Sequence, residues 1–181
     1  MSVPCVTLSG AMGPTAGDLA PDFELVGVPH TPTPYRLREQ HGKVVVLAFY
    51  PGDFTPVCLR QLTHYEEQRE KLVATGATLW AISTDTLEMH ERMAKSYALS
   101  FPLLVDEAGQ VAERYGVRSL MGTARRSIFI LDGEGVIRYQ REEPLSLTYR
   151  SVDDLLEALA ASQLLDPACR PSPDKPVSAQ P

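Results

Sequence analysis

One stretch of the chain has residues whose types and order could do chemistry: Phe49-Tyr50-Pro51-Gly52-Asp53-Phe54-Thr55-Pro56-Val57-Cys58. A run of β-branched and aromatic residues ends at Tyr50, and Pro51-Gly52 break it. Thr55 followed by Pro56 is a helix start, with threonine as N-cap and proline in the first helical position. Cys58 is then the third helical residue. The unpaired backbone N–H groups of a first turn carry partial positive charge and favour a thiolate, the nucleophilic form of cysteine. A helix end alone is not enough. A free thiol is roughly 3% ionised at pH 7, and lowering a thiol pKa to about 6 takes ~3.4 kcal/mol. A helix terminus supplies ~0.3–1 kcal/mol, and at most ~2. A second cation or further hydrogen bonds must contribute. Even full ionisation raises the reactive fraction only ~30-fold, so any larger acceleration has to come from polarising the bond being broken. The competing reading of Cys58 is a small, inert hydrophobe in a strand–helix corner. Its place at the C-terminal end of a buried strand, where sites gather in α/β proteins, favours the reactive one.

The elements that must position this cysteine alternate in type. Residues 44–50 (VVVLAFY) and 78–83 (TLWAIS) are predicted as strands buried on both faces. Residues 56–74 read as a helix stopped near Gly76, and 86–97 as a second helix. Residues 101–105 are a short extended piece, and 109–115 a short helix. Residues 127–131 and 136–139 flank the turn Asp132-Gly133-Glu134-Gly135 and predict a hairpin. Residues 151–163 form an amphipathic helix with Ser151 as N-cap and acids in its first turn. Asp85 and Glu88 read as a cap and an acidic first turn, and Trp80, Met89, Met93 and Met121 as core. The fold class is α/β with a mixed sheet, because a fully parallel sheet would not end in a tight hairpin. Residues 1–17 read as a flexible, uncharged N-terminal tail, 18–165 as one folded domain, and 166–181 (DPACRPSPDKPVSAQP) as a proline-rich C-terminal tail.

Composition bounds the function. The chain has 181 residues, 44% hydrophobic and 22% charged, with 17 Lys+Arg against 23 Asp+Glu. That suits a single globular domain. With a net charge of −6 and no basic stripe, nucleic acid and membranes are not expected partners. The longest apolar run is far short of the ~20 residues that span a bilayer. Residues 1–17 carry no charged side chain, so the basic region of a secretory signal is missing and a cytoplasmic location is expected. The three cysteines are too few for a disulfide scaffold, and in a reducing compartment they are more often reactive or inert. The histidines at 30, 41, 64 and 90 show no ligand-like spacing, and no metal or cofactor is expected.

The segment FYPGDFTPVC resembles the active-site signature of the peroxiredoxins (AhpC/TSA family), Pro-x-x-x-Thr/Ser-x-x-Cys, with Pro51, Thr55 and Cys58 in the matching positions. Residues 17–23, 101–106, 111–117 and 126–132 resemble further segments of the family in the same order. The resemblance implies a thioredoxin-like fold and a thiol peroxidase acting on hydrogen peroxide and organic hydroperoxides. It implies that Cys58 is the nucleophile and becomes a sulfenic acid. By the same resemblance, Thr55 bonds the thiolate and the peroxide, Arg126 polarises both, and Pro51 shields the sulfur. The backbone N–H groups of Val57 and Cys58 then receive a peroxide oxygen. Arg125 competes with Arg126 for the cationic role; the family spacing, three residues before the strand phenylalanine, selects Arg126. Gln61 falls where relatives carry Glu or Gln, and its plain reading is a solvated helix residue. Asp53, beside the site, receives no chemical role.

The wording around Cys58 is closest to the bacterioferritin-comigratory (Q-type) branch, many of whose members carry a resolving cysteine five residues after the nucleophile. Here that position is Thr63. An external thiol (thioredoxin, glutaredoxin or a small molecule), Cys169 or Cys5 are the resolvers left open. A monomer or a homodimer is expected. A thioredoxin-type disulfide oxidoreductase would share the fold, but its Cys-x-x-Cys is Thr-x-x-Cys here. A non-catalytic redox or chaperone module is the other alternative.

Overall fold

The computed structural model describes residues 13–29, 31–143 and 148–162. The apolar run before the cysteine forms β3 (Val45–Phe49), with all five residues buried. It lies parallel to β4 (Thr78–Ser83), and β4 lies parallel to β5 (Leu103–Val105). On the other side β3 pairs antiparallel with β6 (Ser127–Leu131), which turns through residues 132–135 into β7 (Ile137–Glu142). Two further strands, β1 (Glu24–Val28) and β2 (Thr33–Arg36), form an antiparallel hairpin against β5. The result is a mixed seven-stranded sheet, ordered β2-β1-β5-β4-β3-β6-β7. Among the described residues five α-helices flank it, as in a thioredoxin-like α/β fold: α1 (Pro56–Glu67), α2 (Arg69–Ala74), α3 (Leu87–Ser96), α4 (Gln110–Arg114) and α5 (Val152–Ala161). None of the described helices is long and apolar enough to cross a membrane.

The period of two along each strand sorts the core into two layers. Val46, Ala48 and Tyr50 face the layer that holds Cys58, Leu62 and Tyr65 of α1, Met93 of α3 and Leu155 and Leu159 of α5. Val45, Leu47 and Phe49 face the other layer, with Trp80, Val111 and Ala112 of α4, Tyr115 and Phe129. There Tyr115 and Phe129 meet edge to face at 5.1 Å. The register joins the functional segments. Phe49 pairs with Ser127, which brings Arg126 level with Tyr50 at the end of β3 from which the cysteine loop departs.

Several expectations are revised. The β1–β2 hairpin was not expected, since Pro29, Pro32 and Pro34 punctuate it. Pro34 is tolerated because, among the described residues, β2 pairs with β1 alone, and an edge strand need not donate on its outer side. The helix over 56–74 is two helices that meet at Gln68, whose backbone (φ −104°, ψ 8°) leaves the helical path. The cap of α3 is Thr86, whose hydroxyl accepts from Met89 N at 3.4 Å, while Asp85 turns toward the cysteine loop. Met121 is not core: it and Leu120 are the most exposed large apolar residues among those described. Residues 163–181, with Cys169, and residues 1–12, with Cys5, lie outside the described residues.

At the start of α5 the expected Ser151 cap is part of a reciprocal box. The Ser151 hydroxyl accepts from Asp154 N at 3.1 Å, and Asp154 accepts from Ser151 N at 2.8 Å. The Ser151 hydroxyl and amide, in that order, hold the Asp154 carboxyl below its ordinary value of 3.8. A depressed carboxyl adds stability above its unfolded pKa and loses it as pH falls through the folded one. Ser151→Ala should therefore lower the unfolding free energy at neutral pH by about 0.5–2 kcal/mol. The gap between wild type and Asp154→Asn should close as the solution is acidified below the usual carboxylate range. Denaturant titrations at neutral and acidic pH check both.

Candidate active site

Thr55 has the extended backbone of an N-cap (φ −74°, ψ 142°), and Pro56 opens α1. Cys58 is therefore in the first turn, where the amides have no carbonyl one turn back to bond. Its side chain points into the sheet and the residue is 1% exposed. A cation meets it there: Arg126 Nη2 donates to Cys58 Sγ at 3.0 Å. A guanidinium, with its full positive charge, thus stands at hydrogen-bond distance from the sulfur.

Strand alternation separates the two adjacent arginines. Arg126, Ile128 and Ile130 lie on the α1 side of the sheet, and Arg126 is 1% exposed. Arg125 turns the other way; its guanidinium donates to the Gly116 carbonyl and pairs with Glu142 at 3.1 Å. Arg126, and not Arg125, is thus the arginine whose guanidinium meets the sulfur.

Gln61 is a correction. It is fully buried rather than solvated. One turn beyond Cys58, its Oε1 accepts from Arg126 Nη1, and its Nε2 donates to the Tyr65 hydroxyl at 3.0 Å. Tyr65 in turn donates to the Arg150 carbonyl at 2.8 Å. Burial holds the Tyr65 phenol well above its ordinary value, so it stays a neutral donor. Residues 58, 61 and 65 recur at helical spacing on one face of α1. That spacing was the available signal for Gln61, and it was outweighed by the usual exposure of glutamine.

Thr55 differs in detail from the expectation. Its hydroxyl makes no capping bond and donates to the Gly52 carbonyl at 3.3 Å. The residue is exposed. Pro51 is half-buried beside it. Asp53 is 6% exposed: its carboxylate takes the Tyr50 hydroxyl at 2.8 Å and meets His90 Nδ1 at 2.7 Å. Sequence reasoning gave neither Asp53 nor His90 a function. A contact across 37 positions leaves no local pattern.

A first-turn cysteine under a buried guanidinium is a site for a nucleophilic thiol. Residues 16–140 match the AhpC/TSA family. The chain is 36% identical over 143 residues to "Peroxiredoxin Q, chloroplastic" of Sedum lineare, covering 69% of this chain and 77% of that one. It is 33% identical over 159 residues to "Peroxiredoxin-2" of Pongo abelii, covering 83% and 89%. Among solved structures, peroxidoxin BcpB of Mycobacterium tuberculosis superposes with a TM-score of 0.70 at 30% identity, covering 84% of this chain and 97% of that one. Enterococcus faecalis AhpC superposes with a TM-score of 0.77 at 26% identity, covering 89% and 97%. The chain belongs to the AhpC/TSA family and is a thiol-dependent peroxidase, an oxidoreductase with peroxide as substrate and a thiol as reductant. Within the family it is a peroxiredoxin of the Q branch. The disulfide-oxidoreductase and non-catalytic readings are not favoured.

Arg126→Lys keeps the charge but loses the planar fork that reaches both Sγ and Gln61 Oε1. The second-order rate constant with hydrogen peroxide, read by stopped flow, should fall about 100-fold, the scale for losing one aimed donor. Arg125→Ala should stay near wild type.

Proposed function

We propose that Cys58 is the peroxidatic nucleophile and that hydrogen peroxide and organic hydroperoxides are its substrates. The observation that carries this is the 3.0 Å contact between Arg126 Nη2 and Cys58 Sγ. The thiolate attacks one peroxide oxygen, the O–O bond breaks, and the leaving oxygen takes a proton and departs as water or an alcohol. Sulfur is oxidised by two electrons to the sulfenic acid, and the peroxide is reduced by the same two. Arg126 offsets the charge growing on the leaving oxygen. The Val57 and Cys58 amides and the Thr55 hydroxyl hold the peroxide in line, and Pro51 screens the sulfur from water. A thiol then attacks the sulfenic sulfur, releases water and forms a disulfide with Cys58; an external first thiol is displaced by a second one and the two leave as a disulfide, whereas a disulfide to a tail cysteine is reduced by two external thiols, which leave joined to each other.

The first thiol is external (thioredoxin, glutaredoxin or a small molecule) or is Cys169, with Cys5 a further candidate. Thr63 supports this choice, since no thiol stands five residues beyond Cys58. A long loop to a C-terminal cysteine costs little extra, because closure entropy grows only with the logarithm of length. The catalytic unit is residues 18–165, working as a monomer or homodimer in a reducing, cytoplasmic setting, where thiol reductants are abundant.

Peroxide consumption in dithiothreitol should vanish in Cys58→Ser; equal rates in mutant and wild type would remove the assignment. Thr55→Val should slow peroxide turnover about tenfold or more. Its cost in stability should fall at or below the low end of the ~0.5–2 kcal/mol for a lost cap, because its hydroxyl caps nothing. A single equivalent of peroxide followed by non-reducing mass spectrometry identifies the resolver: a Cys58–Cys169 disulfide is expected if the tail resolves, and a lasting sulfenic acid if an external thiol does.

A further inference from the structure

Beneath the cysteine loop lies a buried polar cluster that the chemistry above does not use. Asp53 Oδ1 accepts from the Tyr50 hydroxyl, Oδ2 meets His90 Nδ1, and the Asp53 amide donates to the Asp85 carboxylate. His90 is fully buried on α3, and its Nε2 lies 3.2 Å from the Leu104 carbonyl of β5. A carbonyl can only accept, so Nε2 is the donor in that contact, while Nδ1 lies at hydrogen-bond distance from the Asp53 carboxyl. Burial, and then the charge of Asp53, hold the Tyr50 phenol well above its ordinary value, so it remains a donor. Asp85 is itself fixed by the Ser83 hydroxyl at 3.0 Å.

The cluster grips a strained turn. Phe54, between Asp53 and Thr55, has a φ of +58°. A bulky side chain adopts that left-handed backbone at a steric cost, and such a conformation persists only where its surroundings over-determine it. On the solvent side the Phe54 ring lies under the Arg92 guanidinium, 5.7 Å from its centroid, and near Tyr97. Helix α3 therefore holds two successive loop residues, Asp53 through His90 and Phe54 through Arg92. The next residues are Thr55 and the first turn of α1. Arg126 arrives from a separate strand, so a relaxed turn would move the sulfur against a fixed cation.

We infer that His90, acting through Asp53, is a positioning residue for the peroxide reaction: it holds the Phe54 turn in the conformation that presents Thr55 and Cys58 to Arg126. This rests on Cys58 being the peroxidatic sulfur.

Two substitutions separate the two nitrogens of His90. In His90→Asn the amide nitrogen stands near Nδ1 and keeps a donor to Asp53; in His90→Gln it stands near Nε2 and keeps only the Leu104 bond. Both variants, with Tyr50→Phe, are assayed for the rate constant of Cys58 with hydrogen peroxide, the rate of Cys58 alkylation by iodoacetamide, and the thermal midpoint. His90→Gln should lose peroxide rate on the order of tenfold to a hundredfold, the scale for a displaced reacting group, while alkylation changes by less than about threefold. His90→Asn should recover most of that loss, and Tyr50→Phe should show a smaller loss of the same selectivity. A wild-type peroxide rate in His90→Gln, equal losses in His90→Gln and His90→Asn, or peroxide and alkylation rates falling by one common factor would each overturn the inference. Where His90→Gln does not fold, Tyr50→Phe decides: a selective loss supports the inference and a wild-type rate overturns it. Failure of the underlying reading looks different, as peroxide consumption that survives Cys58→Ser.

Discussion

A guanidinium buried against a sulfur is the contact on which the rest of the molecule depends. Charge in a protein interior is costly unless it is paired and hydrogen-bonded. The two partners come from segments 68 residues apart, so neither the first turn of α1 nor the start of β6 can make the site alone. The parallel and antiparallel neighbours of β3 bring them together. Phe49 pairing with Ser127 brings the arginine level with the end of the strand, and Pro51-Gly52 turn the chain so that the helix starts over it.

The cation is steadied from behind by a short relay: Gln61, then Tyr65, then the Arg150 carbonyl. Each member has a fixed role. Gln61 accepts on one side and donates on the other, and Tyr65, kept neutral by burial, donates a hydrogen bond to a backbone oxygen. The relay ties the guanidinium to the entry of α5, where Val152 N also reaches His64 Nε2 at 3.4 Å. The geometry at the sulfur is thus shared by α1, β6 and α5.

The parts of this arrangement that could be read from the sequence are the ones with local signatures. Thr55-Pro56 announces a helix, the apolar run before it a buried strand, and the 132–135 turn a hairpin. The spacing of the family it resembles points to Arg126 rather than Arg125, and period-two alternation is why Arg126 faces α1. What stayed hidden depends on contacts between distant residues. Gln61 is polar and would ordinarily be solvated, and only the arrival of Arg126 makes its burial favourable. Asp53 and His90 meet across a loop and a helix. The β1–β2 hairpin is short and broken by prolines that an edge strand tolerates.

Burial of the Arg126–Cys58 contact has an electrostatic consequence. Both residues are 1% exposed, so mobile counterions cannot come between them, and added salt does not screen the attraction as it does for exposed ion pairs. A neutral peroxide also feels no long-range pull from a chain of net charge −6. The oxidative half of the cycle therefore runs at nearly the same speed in dilute and concentrated electrolyte, while an encounter with a charged reductant remains sensitive to ionic strength.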